Sequence, residues 1–196
     1  MSTQRYPAIS GQRGLVLVTS LLLLVVVTIL AIGMFRSFGL DEKIAGNVRE
    51  KQRALNAAET AEEYAETWLS SGNATSAVAC TGTVSATVGQ VCISTLQSQG
   101  LNPANLPWQV SGANVGVYYQ PTTPSTMTYS TTGGQNTYYT WPVYYIGFLN
   151  TATVNGVLTN IYQIDAVGYA GSANTAAVVE ATYQVQTATK NLGAGQ

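Results

Sequence analysis

From residue 15 to residue 35 the chain carries no charged side chain: LVLVTSLLLLVVVTILAIGMF. As a helix, at about 1.5 Å per residue, that run spans roughly 30 Å, the thickness of a bilayer's hydrocarbon core. Arg5 and Arg13 precede it. Positive charge on that side holds the N-terminus in the cytoplasm and sends the rest of the chain across. A removable secretory signal is the competing reading, but its apolar core runs only about 7–15 residues before a small-residue cleavage site. Here the run is longer and continues past Arg36 into further helical pattern, which predicts a retained transmembrane helix over 15–36.

The helical pattern goes on to about residue 69. Leu40, Ile44, Val48, Leu55, Ala58, Ala65 and Leu69 recur mostly at steps of three, four and seven, the spacing of one helix face. Alanine, the best helix former, is dense around 54–58. Ser70-Ser71-Gly72-Asn73 reads as the stop, with Gly72 free to take the left-handed cap. A helix over 15–69 is on the order of 80 Å long. Gly33, Gly39 and Gly46 soften it locally. Charge is segregated along 37–72, this amphipathic continuation: Arg49, Lys51 and Arg53 first, then Glu59, Glu62, Glu63 and Glu66. That order fits either neighbouring helices staggered along an axis or a solvated helix surface.

Beyond Glu66 the composition changes. The only charged side chains left are Asp165, Glu180 and Lys190, and residues 73–196 are rich in Thr, Ser, Asn, Gly, Tyr and Val. This is the composition of β-structure that meets water or other subunits. Period-two alternation marks four strands, at 110–119, 138–149, 161–169 and 177–185. Asn155-Gly156 and the run 171–174 are turns that favour antiparallel neighbours. Residues 120–136, with Pro121, Pro124 and Gly133-Gly134, read as an exposed loop and a candidate contact surface. The fold class expected is α+β: a long N-terminal helix, transmembrane in its first half and amphipathic in its second, packed on a C-terminal antiparallel sheet.

Cys80 and Cys92 lie on the exported side of the apolar run, where a close pair reads as a disulfide closing a short loop. Two free buried thiols are the alternative. Catalytic chemistry finds little to stand on. The chain has no histidine, so Ser–His–Asp and Cys–His sets are excluded. No phosphate-binding glycine loop or metal-ligand cluster occurs, and no cofactor is expected. A net charge of −1 gives no basic field for nucleic acid. Asp165 sits among apolar strand neighbours and reads as a satisfied polar residue. The eight aromatics Tyr118, Tyr119, Tyr129, Tyr138, Tyr139, Trp141, Tyr144 and Tyr145 suit a binding surface or cross-strand packing.

The segments QRGLVLVTSLLLLVVVTILAIGMFRS and LDEKIAGNVREKQRALNAAETAEEYAETWL together resemble the N-terminal region of PilX-type minor pilins of the type IV pilus. IYQIDAVGYAGSANTAAVVEATYQV resembles the closing strands of that group, so the resemblance covers 11–69 and 161–186. It implies a leader peptide, 1–14, cut after Gly14 by a prepilin peptidase, leaving Leu15 as an N-methylated first residue. It also implies departure from one rule: most pilins carry glutamate at the fifth mature position, where this chain has Thr19. The implied partners are other minor pilins and the major pilin, the prepilin peptidase, the inner-membrane assembly platform and, before assembly, inner-membrane lipid.

The function expected is therefore a minor pilin that primes assembly and sits at or near the pilus tip, serving adhesion and twitching motility, and not an enzyme. A type II secretion pseudopilin is the near alternative. A single-pass, membrane-anchored periplasmic binding protein is the distant one, in which the Gly14 junction has no meaning.

Overall fold

The computed structural model describes residues 13–74, 77–80, 89–120, 127–134 and 136–186. Packing divides the chain into two units, Met1–Asn47 and Val48–Gln196. One helix, α1 (Arg13–Trp68), contributes to both. The expected leader falls largely on residues outside those described.

In the first unit the described side chains of α1 from Leu15 to Phe35 are exposed, the large hydrophobic ones by 44–76%, with Ala31 half-buried. Leu40 and Ile44 are exposed by 62% and 60%. In the second unit α1 presents Ala54, Ala57, Ala58, Ala61 and Ala65, all at 0–1% exposure, and then Leu69. The helical period in the sequence is right, and in the second unit Ala58, Ala65 and Leu69 of the expected face are buried, joined by Ala54, Ala57 and Ala61. Val48 is 63% exposed and Leu55 only half-buried. The buried face is centred on alanines because the sheet comes too close for anything bulkier. The helix ends where the glycine permits: a π-type turn, Leu69–Asn73, carries Gly72 at φ 87°.

The sheet is built on a long hairpin. β5 (Val143–Val154) and β6 (Val157–Tyr169) pair antiparallel around Asn155 and Gly156, at φ 52° and 81°. Both central residues with positive φ make the two-residue turn that asparagine–glycine favours. β7 (Ala176–Gln186) follows β6 antiparallel, with Tyr169 opposite Ala176. On the other side of β5 lie two short segments, β1 (Val91–Cys92), parallel, and β4 (Val117–Tyr118), antiparallel. The sheet is therefore mixed at that margin rather than wholly antiparallel.

Two of the expected strands change shape. The stretch 110–119 is not one strand: β2 (Gln109–Val110) turns through Ser111 and Gly112, at φ 50° and 80°, onto β3 (Ala113–Asn114), and Gly116 at φ 109° separates these from β4. Residues 138–142 do not join β5. Pro142 has no N–H to give a ladder, and the N–H groups of Tyr138 and Tyr139 donate to Thr128 and Ala170 instead. The described part of the expected loop at 120–136 is tied down. Ser130 N–H donates to Tyr138 O at 2.8 Å, and the half-buried Tyr129 ring stacks on Trp141 at 3.5 Å. Residues 121–126 and 135 are outside the described set.

Both faces of the sheet are covered. Helical alanines and Leu69 pack with Tyr144, Ile146, Tyr162, Ile164 and Ala166. On the opposite face Val143, Tyr145 and Val167 pack with Leu96, Trp108, Val115 and the two cysteines, all from the connections between β1 and β4 and just before them. The sequence pattern marks only 110–119 of this third layer, because the rest of it is made of turns.

The α1–β6 contact is set by Gly168. A Cβ there would lie 2.8 Å from Ala57 Cβ and closer still to Ala54 O and the Ala58 amide nitrogen. Backbone is in the way, so no rotamer change relieves the clash. Gly168→Ala is expected to destabilise the head by roughly 1–3 kcal/mol, the usual range for overpacking. Denaturant unfolding of the full chain in detergent, followed by far-UV circular dichroism, measures this; an unchanged midpoint contradicts the close approach.

Candidate functional site

The candidate assembly site is the first turns of α1. Gly14, Leu15 and Thr19 are helical, and nothing lies within 4 Å of where a Gly14 Cβ would stand. The Thr19 hydroxyl donates to Leu15 O and Val16 O, both at 3.0 Å. Ser20 donates to Leu17 O at 2.9 Å and Thr28 to Val25 O at 2.8 Å. A hydroxyl in hydrocarbon needs a partner, and the backbone carbonyl one turn back is the nearest. Every hydroxyl in the apolar run is thus satisfied within its own helix. By length and composition α1 is long and apolar enough to cross a membrane.

The charged stretch of the second unit is used asymmetrically. Arg49 donates to Asn136 Oδ1 at 3.0 Å, and Lys51 Nζ donates to Ala176 O. Arg53 pairs with Glu50 at 2.7 Å, donates to Thr137 O at 2.8 Å, and lies 4.7 Å over the Tyr138 ring. Glu50 also accepts from Gly171 N–H at 3.0 Å. Burial pulls the Glu50 carboxyl up, but the Gly171 amide and Arg53 more than offset it and hold it below its ordinary value. The basic residues thus fasten the head's connecting segments to the helix and are not held in reserve for a neighbouring helix. The acidic residues have no such use. Burial, with Glu66, Glu63 and Glu59 alongside, pushes the Glu62 carboxyl up to about 7.

The structure brings Cys80 and Cys92 together in disulfide geometry, Cα atoms 5.4 Å apart and 12 residues apart in sequence. Val78 brackets the same place: its N–H donates to Val91 O and its carbonyl accepts from Ile93 N–H.

Asp165, read from the sequence as a satisfied polar strand residue, and Glu180 face each other across β6 and β7. Asp165 is fully buried. Gln163 Nε2 donates to its two oxygens at 3.3 and 3.5 Å and to Gln97 Oε1 at 2.9 Å. Gln97 Nε2 in turn donates to Glu180 at 3.0 Å. Burial dominates, with Glu180 adding repulsion, and the Asp165 carboxyl is pushed up to about 7. The signal in the sequence was the rarity of acids in the head; what it lacked was the register that pairs them. Of the eight aromatics, Tyr144 and Tyr145 are buried, and the others are half-buried, with Tyr129 stacked on Trp141 and Tyr119 and Tyr139 tilted against Tyr64 and Tyr169. Core and cross-strand packing takes most of that surface. Among the described residues no group of His, Cys, Asp and Glu is arranged to hold a metal.

No curated protein and no solved structure matches the chain. The resemblance at 11–12, 62–69 and 161–186 lies outside the family match. Residues 13–61, which include the whole apolar run with Gly14, Leu15 and Thr19, match the family model described as PilX N-terminal, so this part of the chain is similar to the N-terminal region of PilX-type pilins.

Proposed function

We propose that the protein is a minor pilin of the type IV pilus, cut between Gly14 and Leu15, N-methylated at Leu15, and located at or near the tip, where it primes assembly and supports adhesion and twitching motility. One observation carries the reading: an uncovered apolar helix, with every hydroxyl satisfied inside it, lies entirely within the family-matched residues. The match supports a type IV pilus minor-pilin family, assembly with other pilins, and membrane anchoring before assembly. A structural subunit of this kind acts by being incorporated, and its chemistry is that of interfaces.

Thr19 supplies the argument for the tip. In an apolar bundle a terminal ammonium needs a counter-charge, because an unpaired buried charge costs several kcal/mol. Thr19 holds no carboxylate, and its hydroxyl is engaged by carbonyls of its own helix. A subunit stacked above this one has no acid at that level to meet its amine, whereas the Leu15 amine of this chain can use the glutamate of a subunit below. The first subunit in a filament loses nothing by lacking the acid.

Three outcomes are expected. Protein recovered from sheared pili begins at Leu15 by N-terminal sequencing, and Gly14→Val leaves a full-length precursor in the membrane; mature protein beginning at Met1 defeats the reading. Non-reducing mass spectrometry of the exported protein finds Cys80 joined to Cys92, and Cys80→Ser lowers stability by about 2–4 kcal/mol; two free thiols in the exported chain contradict this. Immunogold label against the head falls at one end of each pilus, whereas label spread evenly along the shaft removes the tip assignment and leaves an interspersed subunit.

A further inference from the structure

β6 carries Asp165 at the middle of the sheet, on the face away from α1. Its register partners are Tyr145 on β5 and Glu180 on β7. Over this row lies the segment 94–101. Leu96 is fully buried there, and Thr95 and Gln163 are more than nine-tenths buried. The segment holds the row through three side-chain contacts: Gln97 bridges Gln163 and Glu180, the Tyr145 hydroxyl donates to Ser94 O at 2.7 Å, and Gln99 donates to that same hydroxyl.

The ionisable groups around Asp165 can be named from each element packed on it. β5 offers Tyr145, whose hydroxyl burial pushes up to about 12, so it stays neutral. β7 offers Glu180. Residues 93–107 hold none. Arg49, Lys51 and Arg53 bond Asn136, Ala176, Glu50 and Thr137, on or beside the helix. No Lys or Arg occurs between residues 54 and 189. Among the described residues the row therefore has two carboxyls, amide donors and no cation. A carboxylate buried without a cation is destabilised by desolvation, and a second carboxylate opposite adds repulsion.

We propose that the Asp165–Glu180 pair, bridged by Gln163 and Gln97, is a proton-operated clasp that holds the segment 94–101 on the sheet. With one proton on Asp165 the row carries a single charge, and Gln97 spans from Gln163 to Glu180. When that proton passes to bulk water, two negative charges share the row, and the segment lifts to let water reach Asp165. Cys92, just upstream, keeps one end of the segment tethered. The inference concerns the head alone and does not depend on which filament the protein enters.

The sign follows from linkage. The closed clasp holds Asp165 protonated up to about 7, and opening returns it toward an ordinary value near ~3.9. The closed form therefore binds the extra proton between those values, and closure weakens as pH rises through that window and levels off above it. The amides that report are Gln99, Gly100 and Leu101, which donate to Thr95, Leu96 and Gln97 carbonyls within the segment.

The test is hydrogen exchange with mass spectrometry on the full chain in detergent micelles, from pH 5 to 8.5, corrected for intrinsic exchange. Protection of 98–101 is expected to fall by up to about tenfold per pH unit between 5 and 7 and then to flatten, while peptides from the β5–β6 ladder stay protected. Asp165→Asn keeps 98–101 protected at every pH. Glu180→Gln, on the exposed strand, moves the fall to lower pH. Should Asp165→Asn fail to fold, a carbon-13 titration of the Asp165 carboxyl in the unmodified chain replaces it, with a midpoint near neutrality expected. Flat protection in the unmodified chain, an Asp165→Asn profile that tracks it, or an Asp165 midpoint in the ordinary carboxylate range overturns the clasp.

Discussion

The head is organised by how closely a helix can lie on a strand when neither has side chains in the way. Gly168 presents bare backbone to Ala54, Ala57 and Ala58, and alanines continue to line the contact at Ala61 and Ala65. Small residues bury little apolar area each, so the stabilisation comes from many short dispersion contacts over a continuous seam. With α1 held close to β6, larger residues on the same helix, Val48 and Leu55, fall to the side of the seam and stay exposed or half-exposed. The rings of Tyr144 and Tyr162 then complete the layer beside the alanines.

The second dependence is electrostatic and follows from scarcity. With so few charges after Glu66, the two among the described residues of the head, Asp165 and Glu180, each have a hydrogen-bond partner. Basic residues of α1 hold connecting segments to the helix through carbonyl and amide groups of 136, 137 and 176. The far face of the sheet is left with carboxyls and amides alone. Uncharged polar chains can satisfy a buried acid by hydrogen bonding but cannot neutralise it, so Asp165 is held as the acid where burial permits.

What the sequence made legible was whatever a period or a special dihedral encodes. The apolar run, the helix stop at Gly72, the Asn155-Gly156 turn and the antiparallel order β5, β6, β7 all follow from such signals. Residues 110–119 alternate well enough to imitate a strand, but Gly112 and Gly116 carry positive φ and break it into a small hairpin and a separate bridge. The face of α1 was legible at Ala58, Ala65 and Leu69 and misplaced at Val48 and Leu55, where hydrophobic size was weighed and closeness of approach decides. The layer from 91 to 120 was legible only as the strand read at 110–119 and as Cys92, since the rest is held by tertiary contacts of Leu96 and Trp108 and not by any repeat. For the same reason the cysteine pair was legible, as a short-range link, while the Asp165–Glu180 register was not.

The hydroxyls of Thr19, Ser20 and Thr28, each closed onto a carbonyl of its own turn, make the apolar segment chemically self-contained. Its outer surface offers hydrocarbon and nothing else to whatever surrounds it. Lipid tails and the apolar flanks of other helices are then nearly equivalent media for it, and moving from one to the other exchanges no hydrogen bond. Such a helix can be drawn sideways out of a bilayer into a bundle, or returned, against a barrier set by packing and shape. Its neighbours can recognise it only by contour, and the choice of partner falls to the parts of the chain that carry polar groups.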